Sequence, residues 1–309
     1  QLLEMLSALA AAPLFVGWIN QCRAWLQNRS APSILLPYRA IRKLFYKDAV
    51  LATHASSFFR AAPYVVFGAM VGAAAVIPSV STRLPFSNAA DAIALVGLFA
   101  TARVFISLAA MDVGTAFGTL GARREMLVGF LAEPALLMVI FVASLISAST
   151  ALPAISEGLA TRTLGLYPSL AFTGVAFVLV LLAENARIPV DNPATHLELT
   201  MIHEAMLLEY SARHLALMEW AAALKLFNYA CIGFALFLPW GLATGDSPNP
   251  GTLLASFPVL VAKLVIAGAA LALIETVSAK LRVFRAPEFL ATAFLLAVLG
   301  LLVHLLLGA

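Results

Sequence analysis

Long apolar runs separated by short charged segments divide this chain. Eight of the runs are long enough to cross the roughly 30 Å hydrocarbon core of a bilayer, and they lie at about 2–19, 62–80, 89–110, 126–148, 166–183, 221–243, 256–277 and 287–307. Because backbone polar groups find no water in hydrocarbon, each run predicts a helix, with the irregular connections between helices. The pattern predicts an all-α polytopic membrane protein with about eight transmembrane helices in a single membrane domain, 1–309.

The basic residues are concentrated on alternate connections. The segments 20–61, 111–125, 184–220 and 278–286 hold 14 of the 19 Lys and Arg residues, whereas the opposite connections hold only Arg83 and Arg162. Loops rich in Lys and Arg stay in the cytoplasm. The four charged loops are therefore predicted to be cytoplasmic, and both termini are predicted to lie outside.

The overall composition excludes a large soluble domain. Hydrophobic residues make up 62% of the chain and charged residues 11%, whereas soluble domains carry roughly 25% charged residues. The sequence has no Walker loop, no dinucleotide-binding glycine motif, no nucleophile elbow and no nucleic-acid-binding motif. We expect no covalent chemistry from this chain alone and no metal site within it.

Residues 34–47 have the pattern of a basic amphipathic helix. Ile34, Tyr38, Ile41 and Phe45 form an apolar stripe beside Arg39, Arg42, Lys43 and Lys47. Such a helix lies in the plane of the membrane interface. A headgroup anchor with no other role is the alternative interpretation.

The segment 183–220 carries most of the chemistry, with six carboxylates, two arginines and three histidines in 38 residues. Ionisable groups near hydrocarbon cost about 2.5–3.5 kcal/mol each at a helix centre, and they mark functional sites by default. If 196–219 formed one helix, Glu198, Glu209 and Glu219 would share one side, and the histidines another. Such a series suits a proton relay, although a solvated helix with ordinary surface charge remains the alternative. Arg103, Glu133, Lys225, Lys263 and Glu275 lie within predicted spans.

The same segment resembles a known family of membrane subunits. The run ENARIPVDNP, followed by HLELTMIHEAM and LEYS, is similar to the membrane subunit of formate hydrogenlyase, hydrogenase-4 and other group 4 membrane-bound [NiFe]-hydrogenases. It resembles more distantly the complex I subunit that joins the quinone cavity to the membrane arm. The matching positions are Glu184, Arg187, Pro189, Asp191, Pro193, Glu198, Glu209, Tyr210 and Ser211. Between Asp191 and Glu209 this chain is about three residues longer than the complex I signature, which favours the hydrogenase branch.

The resemblance implies a non-catalytic subunit that anchors a soluble redox arm and couples electron transfer to translocation of protons or Na⁺. The implied partners are a hydrogenase-like large subunit, iron–sulfur subunits and antiporter-like membrane subunits in a prokaryotic cytoplasmic (inner) membrane. The [NiFe] centre and the iron–sulfur clusters would then belong to those partners. The residues assigned to the proton path are Glu133, Glu184, Asp191, Glu198, His203, Glu204, Glu209 and Glu275. The residues assigned to docking and charge pairing are Arg39, Arg42, Lys43, Arg123, Arg187 and Arg213.

Two alternatives remain open at this point. The chain is a passive membrane anchor without an ion path, or it is the quinone-pocket subunit of a complex I-like oxidoreductase. Ala31, Leu36 and Ala40 stand where the family more often has Gly, Gln and Asp, which argues against a quinone headgroup site. A quinone-sized cavity between the first span and the 184–220 loop would argue for one.

Overall fold

The computed structural model describes residues 1–82, 91–160, 167–191, 201–243, 250–279 and 285–307. Within these ranges the chain forms eleven α-helices and one isolated parallel bridge, between Ser81 and Ala243. The helices are α1 (Leu2–Leu26), α2 (Leu36–Phe45), α3 (Ser57–Val76), α4 (Ala92–Asp112), α5 (Ala116–Ser147), α6 (Leu152–Ala160), α7 (Pro168–Glu184), α8 (His203–Leu207), α9 (Ala212–Phe237), α10 (Pro250–Val277) and α11 (Ala286–Leu307).

The predicted all-helical membrane fold is confirmed. Seven of the described helices are long and apolar enough to cross a membrane, and α7 is a shorter apolar helix of 17 residues. Each of the eight apolar runs overlaps one of these helices. The chain is a multi-pass membrane protein.

Several charged connections are more helical than the sequence pattern predicted. Helix α5 begins at Ala116 and α9 begins at Ala212, so parts of the expected loops 111–125 and 184–220 extend the spans into the charged segments. Helix α2 covers most of the predicted amphipathic segment. The membrane-facing role of α2 stays a prediction.

The single helix supposed over 196–219 is wrong. In the described part of this range the chain forms the short α8, and α9 starts separately at Ala212. Ser211 is extended, and Ala212 has a positive φ of 49°. The Ser211 hydroxyl donates to the Val50 carbonyl at 2.6 Å and accepts from the Val50 N–H at 2.9 Å. These bonds tie the break to the segment before α3, so Glu209 and Glu219 do not lie on one continuous helix.

Helix α9 is the central element of the bundle. In the 18-residue apolar stretch of α9, 72% of the residues are buried, compared with 22% in the corresponding stretches of α10 and α11. It packs against α1, α2 and α3, while α5 packs against α4, α7 and α11. Alanine and glycine are frequent among the buried residues of these helices, as expected where backbones approach closely within a membrane.

The end of the bundle near the α9 C-terminus is held by polar contacts with backbone. The Glu4 carboxylate accepts from the N–H groups of Val80 and Ser81 at 3.1 and 2.7 Å. The Lys263 amine donates to the carbonyls of Leu238 and Trp240 at 2.6 and 2.5 Å. These carbonyls follow the last turn of α9, so the cation also opposes the negative end of its dipole. This geometry gives Lys263, a charge inside a predicted span, a structural partner.

Candidate ion-transfer site

One buried arginine lies close to three carboxylates, which belong to two other helices. Arg103 on α4 pairs through Nη1 with Glu133 and through Nη2 with Glu184, and its Nε lies 3.6 Å from Glu125 Oε1. Glu125 and Glu133 belong to α5, whereas Glu184 is the last residue of α7. All three nitrogens of one guanidinium thus lie within ion-pair distance of a carboxylate.

A glycine makes this arrangement possible. Glu125, Gly129 and Glu133 follow one another at intervals of four residues, which places them on the same face of α5. A Cβ atom at position 129 would lie 2.3 Å from Nη1 and 2.5 Å from Cδ of Arg103. The guanidinium therefore occupies space that only glycine leaves open between the two acidic residues.

Lys225 on α9 completes the Arg103 cluster, which we define as Arg103, Glu125, Glu133, Glu184 and Lys225. Its Nζ lies 3.0 Å from Glu184 Oε2, so Glu184 contacts both cations. With every member ionised, three carboxylates face two cations. The cluster is then one negative charge in excess and becomes neutral on taking up one proton.

The Arg103 cluster borders a cavity of about 580 Å³. Its apolar lining comes from α1, α2, α3, α4, α8 and α9 and includes Val16, Pro37, Ile41, Val66, Met70 and Phe99. Its polar wall includes Arg103, Glu125, Glu184, Asn185, Arg187, His203, Glu204, Tyr210, Glu219 and Lys225. A space of this kind can hold water next to titratable groups or admit a small amphipathic molecule.

The segment that contains α8 closes one side of the cavity and is fixed from three directions. Asp191 accepts from the N–H groups of Ile202 and His203, each at 3.2 Å. Arg124 donates to the Met201 carbonyl at 3.2 Å. Gly121 of α5 lies so close that a Cβ there would be 2.8 Å from the Ile202 carbonyl oxygen.

His203 is held in this segment beside the charged groups. Burial lowers the pKa of its imidazole, and the positive charge of Lys225 acts in the same direction. The carboxylates of Glu125 and Asp191 oppose this shift and raise the pKa in part. The neutral imidazole is therefore favoured, and it can accept a proton from one side and donate one to the other.

A second ion-pair group lies apart from the Arg103 cluster. Glu275, near the end of α10, is 3.1 Å from Arg187 and 3.5 Å from Arg23 of α1. Its side chain is buried, and two cations balance it. Arg187 also lines the cavity, so this group adjoins the cavity without sharing a carboxylate with the Arg103 cluster.

The structure distributes the predicted proton-path residues over several places. Glu133 and Glu184 meet in the Arg103 cluster, and His203 and Glu204 line the cavity. Asp191 is buried next to the α8 segment, and Glu275 belongs to the second ion-pair group. Glu209 lies beside the break before α9 and does not line this cavity. Glu198 lies outside the described residues.

Sequence reasoning missed the centre of the site. Arg103 is a charge within a predicted span, but the predicted proton path includes neither Arg103 nor Glu125. The available signal was the E-x3-G-x3-E spacing over 125–133 in an otherwise apolar helix, together with the arginine in the preceding helix.

The predicted docking residues fall into two groups. Arg39, Arg42, Lys43, Arg123 and Arg213 are exposed. Arg187 is half-buried and paired with Glu275. Its geometry is that of a residue holding the bundle together at the cavity.

The sequence of this chain is similar to those of known proteins. The sequence matches the family model described as NADH dehydrogenase over residues 1–306. It is 32% identical over 293 residues to formate hydrogenlyase subunit 4 of Escherichia coli (strain K12), covering 95% of this chain and 94% of that protein. It is 36% identical over 259 residues to hydrogenase-4 component C of the same organism, covering 84% and 80%.

The fold is also found in a solved respiratory assembly. A chain in the structure of the membrane-bound sulfane sulfur reductase, an archaeal respiratory membrane complex, superposes with a TM-score of 0.83 at 21% identity, covering 97% of this chain and 96% of that chain. At that identity the likeness concerns the fold alone. The match over almost the whole sequence, with the two E. coli relatives, shows that this chain belongs to the NADH dehydrogenase family and is homologous to formate hydrogenlyase subunit 4 and hydrogenase-4 component C.

Proposed function

We propose that this chain is the integral membrane subunit of a multisubunit redox complex of the hydrogenase type, and that it transfers protons between its cavity and the interior of the membrane arm. The names of its two E. coli relatives support the type of complex. The partners proposed are a hydrogenase-like large subunit carrying a [NiFe] centre, iron–sulfur subunits and antiporter-like membrane subunits. The proposed location is a prokaryotic inner membrane.

The Arg103 cluster is the observation that carries the proton-transfer proposal. Removing one partner from a buried ion pair typically costs about 3–5 kcal/mol, so such a cluster is retained only if it serves stability or function. Here the carboxylates outnumber the cations, and two of the carboxylates, Glu125 and Glu184, border a cavity with a polar wall. A single excess charge that one proton neutralises is what a transient proton-binding site requires.

A purely passive anchor explains these features less well. Docking contacts need exposed charges, whereas Glu184, Asp191 and Glu275 are at most 5% exposed. Exposed cations in the described part of the chain lie elsewhere, for example on α2 and near the starts of α5 and α9. The buried acidic residues and the exposed basic residues therefore lie in different environments, and in this proposal they have different functions.

The test is the coupling ratio of the purified complex in sealed vesicles. In Glu184→Gln the titratable oxygen of the cluster is removed while side-chain size is kept, and we expect assembled complex with lowered proton movement per electron pair. Glu288→Gln, an exposed carboxylate at the start of α11, is the matched control and keeps the wild-type ratio. Subunit content by size-exclusion chromatography and proton uptake by a pH-sensitive dye give the two readouts. A fully assembled Glu184→Gln complex with an unchanged ratio refutes the proposal.

The cavity favours a second candidate function, a quinone-pocket subunit. Its volume of about 580 Å³ lies in the roughly 300–1,000 Å³ range of small-molecule sites. It lies between α1, α2, α3 and the α8 segment, and its lining combines apolar side chains such as Met70 and Phe99 with charged groups such as Arg103 and Glu184. Bound quinone would supply two-electron redox chemistry, and the residues present fit an apolar ring with a polar end.

Cavity filling separates the two functions. Ala222 of α9 lines the cavity, and Ala222→Phe adds a ring to that wall. The quinone function predicts loss of quinone-dependent turnover in this variant, with hydrogen-dependent dye reduction retained. If the wild-type complex shows no response to added quinone, the second function is excluded and the proton-transfer proposal is unaffected.

A further inference from the structure

The outward face of α2 carries three cations. Among the described side chains, none of these cations forms an ion pair. Arg39, Arg42 and Lys43 are all exposed. At about 100° per residue they occupy one side of the helix, opposite Pro37 and the buried Ile41, which face the cavity. The packed face and the cationic face are therefore separate.

Helix α2 lies beside a membrane span. The Tyr38 hydroxyl donates to the carbonyl of Ala10 on α1. Just before α2, the Ile34 carbonyl oxygen approaches Gly17 of α1 so closely that a Cβ there would be 2.0 Å from it. Both contacts are to the apolar part of α1, so α2 is fixed against a segment that lies in the bilayer.

The surface around the cations is itself apolar. Leu36 and Phe45 are 48% and 44% exposed, and Tyr46, directly after α2, is 85% exposed. Large apolar side chains at the borders of a cationic face are typical of helices whose apolar groups enter the acyl boundary while their cations reach the headgroups. A face that binds an aqueous protein partner does not need such apolar borders.

We propose that the cationic face of α2 is a binding site for anionic phospholipid headgroups, with Arg39, Arg42 and Lys43 contacting the phosphate and Leu36, Phe45 and Tyr46 contacting the acyl chains. The predicted orientation puts this site in the cytoplasmic leaflet, which carries the anionic lipids. The site is separate from the Arg103 cluster, and it does not depend on proton transfer by this chain.

Native mass spectrometry of the full chain in mild detergent tests the proposal. Phosphatidylglycerol and phosphatidylcholine with identical acyl chains are the probes, and the measured quantity is the ratio of their affinities. Wild type prefers phosphatidylglycerol, and the double variant Arg39→Gln, Arg42→Gln loses that preference by roughly 25-fold at low ionic strength, about fivefold for each basic side chain. The matched control is Arg123→Gln, Arg213→Gln, which removes two exposed cations outside α2 and keeps the preference within twofold.

Each possible result either supports or overturns the lipid-binding proposal. Loss confined to the α2 variant supports the site. Equal loss in both variants shows a general effect of net charge and overturns it, as does an unchanged preference in the α2 variant. If the α2 variant keeps its lipid preference and instead releases a soluble subunit from the purified complex, the face docks protein and the lipid proposal is wrong.

Discussion

A single added methyl group at position 129 tests the geometry of the Arg103 cluster. In Gly129→Ala the new Cβ would lie 2.3 Å from Nη1, 2.5 Å from Cδ and 2.8 Å from Cζ of Arg103. A free guanidinium would move aside at little cost. This one pairs with Glu133 and Glu184 and approaches Glu125, so it yields only by loosening those contacts.

The size of the effect follows from these contacts. Overpacking of a tight interior costs about 1–3 kcal/mol, and the cost rises toward 3–5 kcal/mol if a buried ion pair opens. The gain in helix propensity from Gly to Ala offsets about 0.5–1 kcal/mol of this. We expect a net loss of about 1–3 kcal/mol, which lowers the melting temperature by roughly 2 °C for each kcal/mol in a protein of this size.

Thermal unfolding in detergent, followed by tryptophan fluorescence, measures the change, and the coupling ratio in vesicles measures its functional consequence. Gly97→Ala is the matched control, because Gly97 lies on the same helix as Arg103 and its added Cβ would meet nothing within 4 Å. Repeating Gly129→Ala in an Arg103→Lys background completes a double-mutant cycle. Lysine has no Nη1, so the methyl group should cost less there. If Gly129→Ala matches Gly97→Ala in both stability and coupling, the close packing of Arg103 against α5 is not what holds the cluster.

Two further predictions concern the segment around α8. Burial lowers the pKa of His203 below its ordinary value of 6.5, so the folded state binds fewer protons than the unfolded chain and stability falls as the pH drops through 6.5. His203→Gln should therefore flatten the loss of melting temperature between pH 7.5 and pH 5, and a slope identical to wild type would contradict this. Ser211→Ala removes both hydrogen bonds to Val50 and should cost about 1–3 kcal/mol, since each such bond contributes about 0.5–1.5 kcal/mol. Ser57→Ala, an exposed position at the start of α3, is its control in the same melting assay, and an equal effect of the two would refute the anchoring role of Ser211.

Most of the fold could be predicted from the sequence, because the bilayer imposes a length on every apolar run. The positions of α1, α3 to α5, α7 and α9 to α11 follow from stretches that must satisfy their own backbone in hydrocarbon. The basic periodicity of 34–47 likewise predicted α2. Helix ends were less predictable: Ala212 starts α9 because Ser211 bonds to a distant backbone, which no local pattern reveals.

The candidate site could likewise be predicted only in part from the sequence. From the amino-acid sequence alone it follows that burying Glu133, Glu184 and their neighbours in a membrane is costly, which makes them candidates for a functional role. Which of these charges meet depends on the packing of the helices. This packing brings Arg103 of α4 between two acids of α5 and the last residue of α7, puts Lys225 of α9 on the same carboxylate, and gives Glu275 to a different pair of cations. This difference arises because the cost of burying a charge is a property of one residue in one segment, whereas the partner that offsets this cost is set by how helices far apart in sequence cross in space.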